Sequence, residues 1–298
     1  MPLQVDLIDV VAPVAMFSMM FAMGLTLGPD DFRRVMSTPR ATIVGTLLQL
    51  VALPLVGIAI ARAFALPPLL TAGLVVLAAC PGGLFSNLFV HFARANTALS
   101  ITLTATATLA TLFTLPLLVR FALAGGDGAV QSVEMPVFAT AFQLGMLTVF
   151  PIFLGMSLLL RRPDARRWEP ALSRISVLVI LVVVGIDGFD QPSPPTEEFS
   201  QSVAPVALYT LSAVLVGTLV PGILGISARD GATIALELVV KNTMLGIVLL
   251  TQVVDFVAIV PLLAYMIVQI PIGVGILVCW RLLAHHGFVA PLPSSDID

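Results

Sequence analysis

Two stretches of the sequence place polar groups that could bind ions or an anion inside otherwise apolar segments. The first runs from Ala79 to Asn87 and contains Cys80-Pro-Gly-Gly83 followed by Ser86 and Asn87. Proline removes a backbone donor and two glycines follow it, so this stretch predicts a broken helix with freed carbonyl groups. Those carbonyls and the oxygens of Ser86 and Asn87 are ligands that a hard cation prefers. The alternative is a simple proline kink sealed by Ser and Thr side chains.

The second stretch, Leu236 to Thr243, contains Glu237 and Lys241, and Lys241 is the only lysine in the chain. A lysine at the centre of a membrane-spanning helix costs about 2.5–3.5 kcal/mol even on insertion scales. Glu237 lies four residues earlier, on the same face if the helix is intact, so an ion pair is expected to offset much of this cost. Such pairs usually mark substrate or ion paths. The alternative is a structural ion pair that closes a helix bundle.

The composition shows that the solvent of this chain is lipid. Of 298 residues, 58% are hydrophobic and 10% are charged, and the mean hydropathy is +1.07, whereas a soluble domain has about 25% charged residues. The two cysteines lie in apolar segments at no metal-binding or disulfide spacing. Ser, His and Asp residues form no triad-like grouping, which argues against an enzyme. A nucleic-acid partner is not expected.

Nine stretches are long and apolar enough to cross a bilayer, which needs roughly 20 residues per helix. The sequence therefore predicts an all-α polytopic membrane protein that forms a single transporter unit over residues 1–298. The predicted spans are 8–27, 41–64, 69–92, 97–122, 136–160, 171–188, 203–225, 231–251 and 256–283.

The arginines orient these spans. With nine crossings, almost all of them fall on one side of the membrane, and only Arg62 and Arg120 fall on the other, whose loops are acidic. The positive-inside rule then predicts an external N-terminus and a cytoplasmic C-terminus in a plasma (inner) membrane. The Pro-rich linker 188–202 is expected to be an external loop, and 291–298 a disordered tail.

The two polar stretches occupy equivalent positions in two groups of spans. They lie in the third and eighth spans, which are the middle members of spans two to four and spans seven to nine. Because the two groups have opposite orientations, the pattern is typical of an inverted repeat whose broken helices meet at the membrane midplane.

These residues resemble the bile acid:sodium symporter family. The most specific motif is Cys80-Pro-Gly-Gly83 with Ser86-Asn87. The softer motifs follow the family's order along most of the chain: Met23-Gly-Leu-Thr-Leu27, Asp31-Phe32, Gln49 with Pro54, Ala93-Arg-Ala-Asn96, Ala98-Leu-Ser100, Thr104, and Glu237 with Asn242. The chain is similar to a nine-span form of the family that lacks a first helix.

The resemblance implies an architecture and an ion site. It implies a panel domain, here 8–27 and 136–188, and a core domain, here 41–122 and 203–283, with two unwound helices that cross in the core. The family's first sodium site would map onto five suitable side chains, namely Ser86, Asn87, Ser100, Thr104 and Glu237.

The family's second sodium site departs from the pattern. It would map onto Gln49, Glu237, backbone near Val240, and a family glutamine that here is Lys241. A charged lysine has no lone pair for sodium, so our hypothesis is that its ammonium replaces the second ion, with Glu237 and Gln49 as partners. Transport would then couple to one Na⁺, or alternatively to protons through Lys241.

The expected substrate is a small organic anion, either bile-acid-like or a small carboxylate. The candidate substrate contacts are Leu84, where the family often has a threonine, the following Phe85, Asn242, Lys241 and Gln269. Lys241 could bind the anionic head group instead of replacing an ion, and the sequence leaves both roles open. The remaining alternatives are a sodium-independent (proton-coupled or facilitative) organic acid carrier and a non-transporting membrane ligand sensor. A monomer and a homodimer are both compatible with the sequence.

Overall fold

The computed structural model describes residues 7–28, 39–123, 137–190, 196–253 and 256–285. Within these ranges the regular structure is helical, and the sole β-type pairing is an isolated bridge between Gly82 and Lys241. The α-helices are α1 Leu7–Gly24, α2 Pro39–Ala63, α3 Pro68–Ala79, α4 Leu84–Phe92, α5 Thr97–Leu123, α6 Val137–Leu147, α7 Val149–Arg161, α8 Glu169–Asp190, α9 Thr196–Ile223, α10 Ala228–Val239, α11 Thr243–Val253 and α12 Val260–His285. Helix α2 contains a π-helical stretch at Leu48–Ala52.

Four of the described helices are individually long and apolar enough to cross a membrane. They are Pro39–Ala63, Thr97–Phe121, Thr196–Ile223 and Phe256–Leu283. Shorter apolar helices accompany them at Val10–Gly24, Pro68–Ala79 and Gly145–Arg161. This is the helical, multi-pass character that the composition predicts.

Three of the predicted spans are built from two helices each. The range 69–92 contains α3 and α4, which are separated at Pro81-Gly82-Gly83 as the sequence indicated. The range 231–251 contains α10 and α11, separated at Val240–Asn242. The range 136–160 contains α6 and α7, with a local interruption at Thr148. Every other predicted range contains one principal helix.

The predicted linker 188–202 is wrong in its extent. Helix α8 continues to Asp190 and α9 begins at Thr196. Glu197 and Glu198 lie in the first turn of α9, where negative charge is favourable against the helix dipole. With 28 residues, α9 is about 42 Å long and exceeds the ~30 Å hydrocarbon thickness. The predicted tail 291–298 lies outside the described residues.

The helices pack in two groups. Helix α1 packs chiefly against α7 and α8, while α9 packs against α10 and α12, and α3 packs against α2 and α5. Glycines allow the closest approach in the first group. A Cβ atom at Gly24 would lie 2.2 Å from the Ile152 carbonyl oxygen, and one at Gly155 would lie 2.3 Å from that of Phe21. Small residues at such crossings let helix backbones approach each other closely within a membrane.

The Ala93-Arg-Ala-Asn96 motif ties the α4–α5 connection to the start of α10. The Asn96 side chain donates to Asp230 at 2.7 Å, and its backbone N–H donates to the Thr233 hydroxyl at 2.9 Å. Trp280 of α12 donates to the Ala93 carbonyl at 3.0 Å. These bonds hold the ends of α4, α5, α10 and α12 in one unit.

Replacing Gly155 with alanine is expected to destabilise the protein. The added methyl group would overlap the Phe21 carbonyl of α1, and overpacking of this kind costs about 1–3 kcal/mol. The measurement is the thermal unfolding midpoint of the purified protein in detergent. The matched control is Gly185→Ala on α8, where an added Cβ meets no atom within 4 Å, so its midpoint should be unchanged or higher. Equal midpoints for the two variants would show that α1 and α7 do not meet at Gly155.

Candidate functional site

The two interrupted helices cross at their breaks. Gly82 lies in the break between α3 and α4, and it pairs with Lys241 in the break between α10 and α11. The Asn242 N–H donates to the Pro81 carbonyl oxygen at 2.8 Å. Each unwound segment therefore supplies backbone partners to the other, as buried peptide groups require.

A cluster of buried oxygen atoms surrounds Glu237, which lies near the end of α10 and has no exposed surface. Its carboxylate accepts a hydrogen bond from the Ser100 hydroxyl at 2.9 Å and another from the Thr104 hydroxyl, both on α5. The Ser100 oxygen is also 2.6 Å from the Asn87 side-chain carbonyl oxygen of α4. Four of the five residues predicted for the first sodium site thus form one contiguous group.

Ser86, the fifth predicted residue, lies at the same crossover in the first turn of α4. Its hydroxyl accepts from the Gly83 N–H at 3.1 Å and donates to the Gly83 carbonyl at 2.7 Å. A Cβ atom built at Gly82 would lie 3.0 Å from the Ser86 hydroxyl oxygen and 2.0 Å from a carboxylate oxygen of Glu237. The absence of a side chain at Gly82, the first of the two glycines, thus lets the break approach the carboxylate.

The chemistry of this cluster fits a small hard cation. A serine hydroxyl carries one proton, yet the Ser100 oxygen lies within hydrogen-bonding distance of two acceptors, on Asn87 and Glu237. Ser100, Asn87 and Thr104 contribute neutral oxygens and Glu237 contributes one carboxylate charge, a combination that suits a monovalent ion. Within the described residues no group of three or more His, Cys, Asp or Glu side chains could hold a metal ion, so a multi-carboxylate divalent site is not built here.

Lys241 does not form the predicted ion pair with Glu237. Helix α10 ends at Val239, so the two residues do not share an intact helix face. The ammonium instead donates to the carbonyl oxygens of Cys80 at 2.9 Å and Ala78 at 3.3 Å. These carbonyls belong to the C-terminal end of α3, where the helix dipole is negative and favours a cation. The Lys241 side chain is 3% exposed.

Gln49 lies in the π-helical stretch of α2 and is buried. Pro54 cannot donate a backbone hydrogen bond, and next to it the Leu53 N–H bonds to the Leu48 carbonyl, five residues earlier. Neither the amide nitrogen nor the amide oxygen of Gln49 has a hydrogen-bond partner among the described residues. The predicted partnership of Gln49 with Lys241 is therefore not a direct hydrogen bond in this conformation.

Gln269 of α12 contacts the crossover rather than an open cavity. Its side-chain oxygen accepts from the Lys241 backbone N–H at 3.2 Å, and its nitrogen donates to the Thr243 hydroxyl at 3.4 Å. The side chain is buried. Gln269 was predicted as a substrate contact, whereas in this conformation both ends of its amide are used by the break between α10 and α11.

Tyr265, one turn before Gln269, is a site residue that the sequence reasoning missed. Its hydroxyl donates to the carbonyl of Val239, the last residue of α10. Together Tyr265 and Gln269 hold both sides of the unwound segment. A signal existed, because the chain has only two tyrosines and a tyrosine buried in apolar surroundings usually finds a hydrogen-bond partner.

The remaining predicted substrate contacts differ in accessibility. Phe85 is 44% exposed beside the crossover, and Asn242 is 7% exposed. The Asn242 side-chain oxygen accepts from the Leu245 N–H at 3.3 Å, while its amide nitrogen has no hydrogen-bond partner among the described residues. The backbone of Leu84 begins α4, and its side chain lies outside the described part.

Comparison with known proteins places this chain in a family of membrane transporters. The model of the sodium bile acid symporter family matches residues 13–187. A chloroplastic protein of Arabidopsis thaliana, named a "Probable sodium/metabolite cotransporter", is 30% identical over 78% of this chain and 57% of its own length. The chain thus spans little more than half of that relative.

Two further relatives are covered more fully. The Bacillus subtilis protein YocS, named an uncharacterized sodium-dependent transporter, is 30% identical over 78% of this chain and 71% of its own length. The human ileal sodium/bile acid cotransporter is 26% identical over 80% of this chain and 68% of its own length. These relatives are named as transporters and not as enzymes. The chain belongs to the sodium bile acid symporter family, as its motifs indicated.

Replacing Gly82 with alanine is expected to abolish cation binding at the oxygen cluster. The new methyl group would take the position of a Glu237 carboxylate oxygen and displace it from Ser100 and Thr104. The measurement is the rise in thermal unfolding midpoint on adding NaCl in place of choline chloride. The parent should show a rise and the variant none. Gly275→Ala on α12, where an added Cβ meets no atom within 4 Å, should respond like the parent, and a sodium response retained by Gly82→Ala would contradict the assignment.

Removing the Tyr265 hydroxyl is expected to destabilise the crossover. Tyr265→Phe leaves the buried Val239 carbonyl without this donor, at a cost of about 1–3 kcal/mol. Tyr209 provides a matched control, because its ring packs 5.8 Å from that of Tyr265 and its buried hydroxyl has no partner in the described part of the chain. Tyr209→Phe should therefore be neutral or stabilising. Equal unfolding midpoints for the two variants would show that the hydrogen bond from Tyr265 does not stabilise the protein.

Proposed function

We propose that this protein is a secondary active transporter that carries a small organic anion together with one sodium ion. The observation that carries the proposal is that two positions suited to a cation lie at the same crossover. One is the oxygen cluster around Glu237, and the other is occupied by the Lys241 ammonium. Membership of the sodium bile acid symporter family supports coupling to sodium in general.

The proposed sodium site uses Ser86, Asn87, Ser100, Thr104 and Glu237. A bound ion would let the Ser100 hydroxyl act toward it as a lone-pair donor, which removes the competition of two acceptors for one proton. The ligands come from α4, α5 and α10, so binding would join both sides of the crossover. Sodium would thereby order the backbone against which the anion binds.

The second ion is proposed to be replaced by Lys241. Half-helix C-terminal ends and unwound carbonyls coordinate sodium in transporters with broken helices, and the ammonium donates to two such carbonyls at the end of α3. Its contacts are with backbone oxygens and its side chain is buried. This favours ion replacement over direct binding of the substrate head group, the other role that the sequence left open.

The anion is proposed to bind at the crossover beside Asn242 and Phe85. The free amide nitrogen of Asn242 offers a donor, and the N-termini of α4 and α11, which begin at the two breaks, offer a positive dipole end. Relatives are named for metabolites in one case and bile acid in another, so we propose the substrate class as a carboxylate with an apolar portion that packs on Phe85.

We propose nine crossings with an external N-terminus and a cytoplasmic C-terminus. The paired broken helices α3–α4 and α10–α11 support an inverted repeat. The packing of α1 with α7 and α8 supports a panel separate from a core that contains the crossover. The arginine distribution supports this orientation in a plasma (inner) membrane.

Replacing Lys241 with glutamine is expected to make sodium dependence steeper. The amide oxygen can ligate an ion where the ammonium stood, so a second sodium should bind. The measurement is uptake of candidate carboxylates into proteoliposomes as sodium is varied. The parent should show a Hill coefficient of about 1, and the variant should rise toward about 2.

Lys241→Met is the matched control, because it removes the charge without supplying an oxygen. Its uptake should fall at every sodium concentration, since the Ala78 and Cys80 carbonyls lose their partner. A Lys241→Gln variant that keeps the parent's sodium curve would contradict ion replacement. Uptake without any sodium effect in parent or variant would instead indicate a sodium-independent carrier, and binding without uptake would indicate a sensor.

A further inference from the structure

The connection between α7 and α8 concentrates positive charge on a fixed turn. Residues 161–174 contain five of the chain's thirteen arginines and only two carboxylates, Asp164 and Glu169. The connection is a 3₁₀ helix, Pro163–Trp168, whose Ala165 is fully buried against the protein. The arginines therefore project from an anchored backbone rather than from a free loop.

Most of these guanidinium groups lack a protein partner. Arg167 lies 3.4 Å from Asp164, in a pair whose side chains are both largely exposed. Such exposed pairs contribute little. The other four, Arg161, Arg162, Arg166 and Arg174, are exposed and form no side-chain hydrogen bond or ion pair within the part of the chain that the structure describes.

The surface next to this charge is apolar. Leu160, Ile175 and Leu178 are among the most exposed hydrophobic side chains of α7 and α8. Leu160 and Ile175 adjoin residues 161–174 directly, and Leu178 lies about one helical turn further along α8. Trp168, one of two tryptophans, is 39% exposed at the end of the 3₁₀ helix. Tryptophan prefers the boundary between head groups and acyl chains. Positively charged side chains that can bind phosphate thus lie next to an exposed apolar surface.

We infer that this turn, defined as residues 161–174, is a binding surface for anionic phospholipids of the bilayer. Arginine matches phosphate oxygens bidentately, and the exposed leucine and isoleucine side chains fit an acyl chain. Because α7 and α8 both pack on α1, a lipid held here anchors the proposed panel, while the crossover helices contribute no comparable cluster in the described residues. The inference rests on the proposed membrane orientation but not on sodium coupling.

The test is lipid binding by the purified full-length protein, with phosphatidylglycerol and phosphatidylcholine as probes. Native mass spectrometry counts bound lipids, and the thermal unfolding midpoint is followed in parallel. The parent should retain phosphatidylglycerol in preference to phosphatidylcholine by at least roughly five-fold, the contribution of a single arginine near a charged surface. The preference should weaken as salt is raised. Equal retention of the two lipids overturns the inference, whatever the transport assays show.

Two variants locate the site. Arg161, Arg162, Arg166 and Arg167 are changed together to glutamine, and this variant should lose the preference for phosphatidylglycerol. The matched control is Arg62→Gln with Arg120→Gln, two exposed arginines on the opposite predicted face, and it should keep the preference. Loss in the control, or retention in the quadruple variant, would mean that the lipid binds elsewhere.

A third variant covers failure of the quadruple glutamine protein to insert or fold, since cytoplasmic arginines also set topology. Changing the same four arginines to lysine keeps the charge, so this protein should insert normally and retain a preference for phosphatidylglycerol. A correctly folded lysine variant with no such preference overturns the inference, because attraction between the turn and the phosphate would then be absent. Because these lipid-binding experiments use neither sodium nor a substrate, their outcome does not depend on whether the proposed sodium-coupled transport is correct.

Discussion

Backbone peptide groups that leave a helix at membrane depth must find partners inside the protein, because hydrocarbon offers none. The two breaks in this chain meet that requirement mainly through each other and through α12. Asn242 donates to Pro81, and the Lys241 ammonium donates to the end of α3. At the second break Tyr265 donates to the Val239 carbonyl, and Gln269 accepts from the Lys241 backbone N–H. The unwound segments are therefore stable only as a crossed pair. The oxygen cluster around Glu237 depends on this crossing, since it brings α4, α5 and α10 to one point.

The crossing also explains why a carboxylate can be buried completely. Glu237 is surrounded by hydroxyl donors on α5 and by a glycine whose missing side chain makes room for its oxygen. A buried carboxylate without such donors would be costly. Ser100 and Thr104, one turn apart on α5, donate to the buried carboxylate, and Gly82 in the opposing break leaves room for it. Together they offset the cost of burying this charge.

Part of this arrangement could be predicted from the sequence, and the two breaks show where prediction stopped. Pro81 and the two following glycines mark the first break by residue type. The second break, at Val240, has no proline or glycine nearby and was expected only from the inverted-repeat pattern and the family resemblance. It forms because the segment pairs with the first break, a tertiary cause with no local signal. The partners of Lys241 were missed for a similar reason, since they are backbone carbonyls that any residue would supply.

The extent of α9 and the roles of Gln269 and Tyr265 were also beyond the sequence pattern. Residues 196–202 look like a loop because Phe199 is their only apolar residue, yet they form the first two turns of α9. Gln269 is polar at membrane depth, which suggests a ligand contact, but its amide is used by the crossover itself. Polarity in an apolar span identifies a residue as important without distinguishing a ligand contact from a backbone contact.

Glu237 and Lys241 are the only charged side chains that are buried in the described residues. Their formal charges cancel, so the unloaded crossover carries no net charge. Moving one elementary charge through a potential of 100 mV is worth about 2.3 kcal/mol, and a neutral element escapes this force. A loaded state with one sodium and a monovalent anion is neutral as well. Both directions of the transport cycle would then be indifferent to membrane voltage, and the sodium concentration gradient alone would set how far the anion accumulates.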